Sequence, residues 1–128
     1  SLGSYITELT PTAHDAAFAA VSHLPHVLSY AIIRGIFQQH NGPELMALGG
    51  PGFRDFSRIA ASDPVVWRDI LSTNREQVLL QIGHFKEALN DFEHAIQNNN
   101  TQALEDMIRQ ASDLRFKWRM GANQHPEE

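Results

Sequence analysis

HDAAFAAVSHLPH, residues His14 to His26, sets three histidines, an aspartate and a serine into a small and otherwise apolar segment. On a helix, Ser22 and His26 share a face, and His23 lies on nearly the same one. Pro25 has no backbone N–H and clashes with the turn before it, so a kink or a restart is expected there. A kink frees backbone groups and turns side chains into a cleft, which is how a site is built. The first helix is expected from about Pro11 to Leu24. It starts at Thr10-Pro11-Thr12, a hydroxyl cap followed by proline, with Asp15 placed as in a capping box. A second segment, with Val27, Leu28, Ala31, Ile32 and Ile36, is apolar on nearly all sides and reads as the buried centre.

Further along, Asn41-Gly42-Pro43 and Gly49-Gly50-Pro51-Gly52 interrupt the chain, leaving Glu44 to Leu48 room for a turn or two of helix. Phe53 to Ala61 forms a short helical segment carrying Arg54, Asp55, Ser57 and Arg58, and Ser62-Asp63-Pro64 is another capped start. From Pro64 to about Asn98 nothing demands a break except Gly83. Val78, Ile82, Phe85, Leu89, Phe92 and Ile96 make a heptad-like seam there. Asn98-Asn99-Asn100 ends it. Thr101 is expected to cap a last helix to about Met120, whose face is Leu104, Met107, Ile108, Ala111, Leu114 and Trp118, with Gly121 as the stop. No strand pattern and no internal repeat is present. The expected fold is all-α: a helical dimerisation domain with a kinked N-terminal helix pair, one long central helix and a C-terminal helix. A helix of roughly 34 residues is about 50 Å long, against a radius of gyration of about 14 Å for a compact domain of this size. Such a helix overhangs its own domain, and a second copy of the chain is the simplest partner for the overhanging seam.

The 128 residues amount to one domain, with enough apolar content for a core. A formal charge of −5 argues against non-specific nucleic-acid binding. The longest apolar run, Val27 to Phe37, is too short to cross a bilayer, so no membrane partner is expected. The absence of cysteine fits a reducing, cytoplasmic setting. Starting at Ser1 rather than at methionine, and without a secretory leader, the chain is expected to be a piece of a longer one. Ser1 to Leu9 is expected to be the end of a connection from another domain, and Asn123 to Glu128 a frayed tail.

Four segments then occur in a fixed order: His14-Asp15 with Ser22-His23-Leu24-Pro25-His26; Gly52-Phe53-Arg54-Asp55-Phe56-Ser57-Arg58-Ile59-Ala60; Ser62-Asp63-Pro64; and Trp67-Arg68-Asp69-Ile70. This order closely resembles the C-terminal helical domain of prephenate dehydrogenases, over about Thr10 to Asn74. The resemblance implies an enzyme that joins an N-terminal dinucleotide-binding domain to a helical domain that dimerises and completes the substrate pocket. It implies oxidative decarboxylation of prephenate to 4-hydroxyphenylpyruvate with NAD or NADP, in tyrosine biosynthesis, with arogenate as the substrate of some members. The chain has no GxGxxG, so residues 1–128 would be the helical domain alone, with the dinucleotide domain and the catalytic histidine lying outside it. On this resemblance Arg58 grips a substrate carboxylate, bidentately as a guanidinium can, and His26 contacts substrate. Ser22, His23 and His14 occupy further substrate-binding positions, while Asp55 and Trp67 match positions near the pocket that help hold the arginine and the subunit contact. Where the family commonly has threonine before the arginine, this chain has Ser57. No catalytic residue, cofactor or metal is expected within the chain itself.

Plainer readings of the same residues exist. His14-Asp15 could be first-turn capping, Arg54 and Arg58 a solvated face, Trp67 and Trp118 core. His23 and His26 with Asp15 could hold a metal, but zinc sites want three or four convergent ligands. An all-helical metal-dependent phosphohydrolase of the HD type would also show a His-Asp pair on a helix, yet it needs another histidine upstream and a distant aspartate. A purely structural dimerisation module is the third reading.

Overall fold

The structure, a computed structural model, describes residues 9–118. The expected stop at Gly121, the tail after it and residues 1–8 of the lead-in lie outside the described residues. Among the described residues every regular element is helical. The order is α1 (Pro11–Phe18), a π turn (Ala19–His23), α2 (Leu24–Phe37), α3 (Gly42–Ala47), α4 (Pro51–Ser57), a 3-10 turn (Arg58–Ala60), α5 (Pro64–Thr73), α6 (Arg75–Gln97) and α7 (Thr101–Lys117). The chain divides into two compact units. One is Asp15–Gln81; the other holds, of the described residues, 9–14 and 82–118.

The expected restart at Pro25 does not occur. Pro11–Phe37 runs on as one helix, and the strain is taken up by the π turn just before the proline. There Leu24 N–H reaches back five residues to the Ala19 carbonyl, and Pro25 sits in the first turn of α2. The wide turn accommodates the missing donor and the ring without breaking the helix. Over this whole length the helix does reach the length and composition of a bilayer span, as central helices of water-soluble domains also do. The run Val27 to Phe37 alone is therefore a poor guide to its reach.

Within Asp15–Gln81, α2 packs against the π turn, α3, α4 and the 3-10 turn. The turn from α2 into α3 depends on Gly42, whose added Cβ would collide with the Phe37 carbonyl. α5 begins where expected, with Asp63 Oδ2 accepting from Val66 N–H at 2.8 Å ahead of Pro64. The reading of α2 as a fully buried centre is corrected: Ser29 is its only buried residue, while Ile32 is 42% and Phe37 57% exposed. The short elements cover one side of α2 and leave the other open.

The single helix expected from Pro64 to Asn98 is two. Asn74 leaves the helical region (φ −98°, ψ 34°), because its side chain is engaged elsewhere, whereas Gly83 lies undisturbed inside α6. At about 1.5 Å per residue, the 23 residues of α6 span about 35 Å rather than 50 Å. Of the seam, Val78 is buried and Ile82, Phe85 and Phe92 are half-buried, but Leu89 and Ile96 are exposed.

In the other unit, α1 starts as expected, Thr10 Oγ1 accepting from Ala13 N–H at 3.1 Å. The cap of α7 is Asn100, not Thr101: Asn100 Oδ1 accepts from Ala103 N–H at 3.1 Å and Thr101 is already helical. Asn99 before it takes a left-handed conformation (φ 51°), which asparagine tolerates better than most residues. On α7, Leu104 and Met107 are half-buried, and Ile108, Leu114 and Trp118 stay exposed. Across all described residues the buried apolar side chains are only Ala19, Val78 and Ala95. A self-sufficient domain would bury leucines, isoleucines and phenylalanines instead.

Candidate functional site

The π turn and Pro25 place two histidines against one tryptophan. His26 Nδ1 lies 2.8 Å from the Ser22 carbonyl oxygen. A carbonyl only accepts, so Nδ1 carries the ring proton and donates it. Ser29, fully buried one turn on, donates its hydroxyl to the His26 carbonyl at 2.9 Å. The His26 ring so held stacks on Trp67 of α5, with centroids 3.7 Å apart and planes 16° from parallel. His23 meets the same indole edge-on, at 5.9 Å and 81°. Tyr30, four residues after His26 on the same helix face, stands 6.3 Å from the His26 ring.

His23 is tied from across the unit. Asn74, at the break between α5 and α6, donates its carboxamide to the Asp15 carbonyl at 2.8 Å and to His23 Nδ1 at 3.2 Å. Desolvation holds the His23 pKa below its ordinary 6.5, the neighbouring His26 lowers it further, and Asp15 partly offsets both. His23 is therefore biased towards its neutral form.

Trp67 also lines a cavity of about 320 Å³ together with Tyr30, Ala60, Ser62, Pro64, Arg68 and Leu71. At its edge the Tyr30 hydroxyl and Ser62 Oγ are 2.6 Å apart, a bond that fastens the loop before α5 onto α2. Aromatic and aliphatic walls with a few placed polar groups are what a small ring compound needs.

Of the residues singled out from the sequence, Ser22, His23, His26 and Trp67 come together here. His14 is exposed on α1 and belongs to the other unit. Arg58 opens the 3-10 turn and Asp55 lies on α4, both exposed; no hydrogen bond or ion pair ties either to the cluster or Asp55 to an arginine among the described residues. Tyr30, Ser62 and Asn74 were missed as site residues. Tyr30 could have been found from its four-residue spacing to His26; Asn74 had only the clue of a poor helix former inside a long helix. No group of three or more His, Cys, Asp or Glu side chains is arranged to hold a metal among the described residues, so the ligand set of an HD-type hydrolase is not assembled there.

Comparison with known proteins points one way. The family described as "Prephenate dehydrogenase, dimerization domain" matches residues 10–110. The prephenate dehydrogenase of Bacillus subtilis (strain 168) is 26% identical over 113 residues, covering 88% of this chain and 30% of that protein. The cyclohexadienyl dehydrogenase of Zymomonas mobilis is 29% identical, covering 90% of this chain and 40% of that protein. Among solved structures, prephenate dehydrogenase from A. aeolicus in complex with hydroxyphenyl propionate and NAD+ superposes with a TM-score of 0.79 at 35% identity, over 85% of this chain and 38% of that one. Synechocystis arogenate dehydrogenase gives 0.80 at 28% identity, over 87% and 41%. The chain thus spans 30–40% of the length of these two curated relatives.

Proposed function

Because the chain belongs to the family of prephenate dehydrogenase dimerization domains, we propose that it is the substrate-completing and dimerising part of an NAD(P)-dependent dehydrogenase acting on prephenate or arogenate in tyrosine biosynthesis. In this reading the protein works in the cytoplasm as a homodimer, and a dinucleotide-binding domain precedes the helical one. The described residues contain no strand leading into a glycine-rich helix start, the arrangement a pyrophosphate needs. They offer no such site for the dinucleotide, and in this reading the chain acts only as part of the complete enzyme.

The observation that carries the reading is the Trp67 indole with His26 stacked on one face, His23 against it, and a ring-sized cavity along the same wall. Prephenate carries two carboxylates and a ring. Arg58 supplies the fork for one carboxylate, the histidines supply polar contacts, and the apolar walls receive the ring. Asp55 supports the pocket's surroundings and Trp67 forms its wall. His26, with Nδ1 committed to the Ser22 carbonyl, can donate to an anion only from Nε2 and only after gaining a proton. Dimerisation is supported by the near-absence of large buried apolar side chains among the described residues and by the exposed Leu79, Leu80, Leu89, Ile96 and Leu114.

Kinetics of the dehydrogenase that contains this chain tests the proposal. Arg58→Ala should raise KM with little change in kcat, because the carboxylate pair exists both before and during hydride transfer. A charge-assisted hydrogen bond of about 1.5–3 kcal/mol corresponds to roughly 10- to 150-fold. Arg58→Lys should recover part of this and Arg54→Ala should do far less. A larger effect from Arg54→Ala would overturn the assignment.

A further inference from the structure

We propose that Asn74 is a positioning residue that fixes the tautomer of His23, and that the two histidines of the cluster are thereby held with their ring protons on opposite nitrogens. The starting point is the Asn74 carboxamide, whose orientation is fixed by its surroundings. Its Nδ2 stands 2.8 Å from the Asp15 carbonyl oxygen; turned the other way, two acceptor oxygens would face each other at that distance. The NH2 group has two protons. One goes to Asp15, and the other points to His23 Nδ1 at 3.2 Å. That nitrogen must accept, so in the neutral ring the proton resides on Nε2. His26 is the reverse case, because its Nδ1 faces the Ser22 carbonyl and must donate. Neither Nε2 has a hydrogen-bond partner among the described residues. With both rings neutral, the cluster therefore offers one N–H, at His23, and one lone pair, at His26.

Backbone geometry gives the same assignment a cause. Asn74 sits outside the helical region, yet it still donates to Ile70 O at 3.1 Å and accepts from Val78 N–H at 3.0 Å. The chain stays nearly helical across the break and gives up only what is needed to aim one side chain. Burial and the proximity of His26 favour a neutral His23, which is the form this hydrogen bond requires. An asparagine suits the position because it donates to both partners; an aspartate, of the same shape, could donate to neither.

Imidazole nitrogen NMR on the full chain decides the matter, since protonated and unprotonated ring nitrogens resonate far apart. The wild type should show His23 protonated at Nε2 and His26 at Nδ1. In Asn74→Asp the new carboxylate should draw the His23 proton to Nδ1 and raise its titration midpoint by about one pH unit or more, with the His26 tautomer unchanged. Asn74→Ala should leave His23 as a mixture of tautomers. A wild-type His23 protonated at Nδ1 overturns the proposal even if neither variant folds, and so does an Asn74→Asp chain with His23 unchanged. The tautomer assignment stands apart from the substrate reading, whereas its kinetic consequence rests on it. In the complete dehydrogenase Asn74→Asp should raise KM roughly tenfold, the scale of one hydrogen bond. A switched tautomer with unchanged KM would leave Asn74's role intact and overturn the role of His23 in binding substrate.

Discussion

In the unit Asp15–Gln81, polar side chains bridge residues far apart in sequence. Asn74 reaches Asp15 and His23, and Tyr30 reaches Ser62. In the other unit, the side-chain bonds of α7 run only between neighbouring turns, as from Gln102 to Asp106 and from Arg109 to Glu105, and its apolar residues Leu89, Ile96, Ile108 and Leu114 are more than half exposed. The first unit ties its site together with its own long-range bonds, while both units leave apolar side chains exposed for something to cover, Phe37, Leu48 and Leu79 in the first as much as Leu89 in the second. A substrate surface must be rigid before its ligand arrives, whereas a dimer interface gains its stability at the moment of covering.

The largest effect should follow from charging the uncovered face. Leu89→Asp should dissociate the proposed dimer: a residue at the centre of an interface contributes about 2–4 kcal/mol, or roughly 30-fold or more in the dissociation constant. Light scattering at micromolar concentration reads the mass, and a wild-type monomer would break the comparison outright. A smaller effect tests the self-supported unit. Gly42→Ala should lower its stability by about 1–3 kcal/mol, the scale of an overpacked site, since the new Cβ meets backbone at Phe37 rather than a yielding side chain. Thermal unfolding measures this, and an unchanged midpoint would mean that the α2–α3 turn is looser than described.

The smallest effect is one of pH. Because the folded His23 pKa lies below 6.5, the unfolded chain binds more protons at that site. Its contribution to stability is therefore full above pH 6.5 and is lost as pH falls through the folded value. The urea midpoint should drop on acidification, and by less in His23→Gln. Equal drops in the two proteins would show that His23 is no more buried than in the unfolded chain.

Much of the architecture was legible in local chemistry. Thr10 and Asp63 are caps because a short oxygen-bearing side chain before proline has few other uses. The all-helical class followed from spacing alone. What local chemistry could not supply were choices settled by tertiary contact. Asn100 and Thr101 are both competent caps, and the left-handed Asn99 decides between them. Pro25 announces trouble in a helix, but not that a π turn will absorb it upstream. Asn74 looks like any exposed helical residue until Asp15 and His23 are brought beside it. The resemblance to a known family pointed to Ser22, His23, His26 and Trp67, which lie together, and equally to Arg58 and Asp55, which no bond among the described residues ties to them, and to His14, which belongs to the other unit. It could not supply the stack of His26 on Trp67, which depends on α5 crossing near the π turn.

That this chain forms a substrate surface and a subunit contact without a dinucleotide site can be tested most directly by calorimetric titration of the isolated 128-residue chain with NAD and NADP. No saturable heat is expected from either nucleotide. Saturable binding of one of them would mean that these helices hold the cofactor themselves, and would contradict the division of labour proposed for the enzyme.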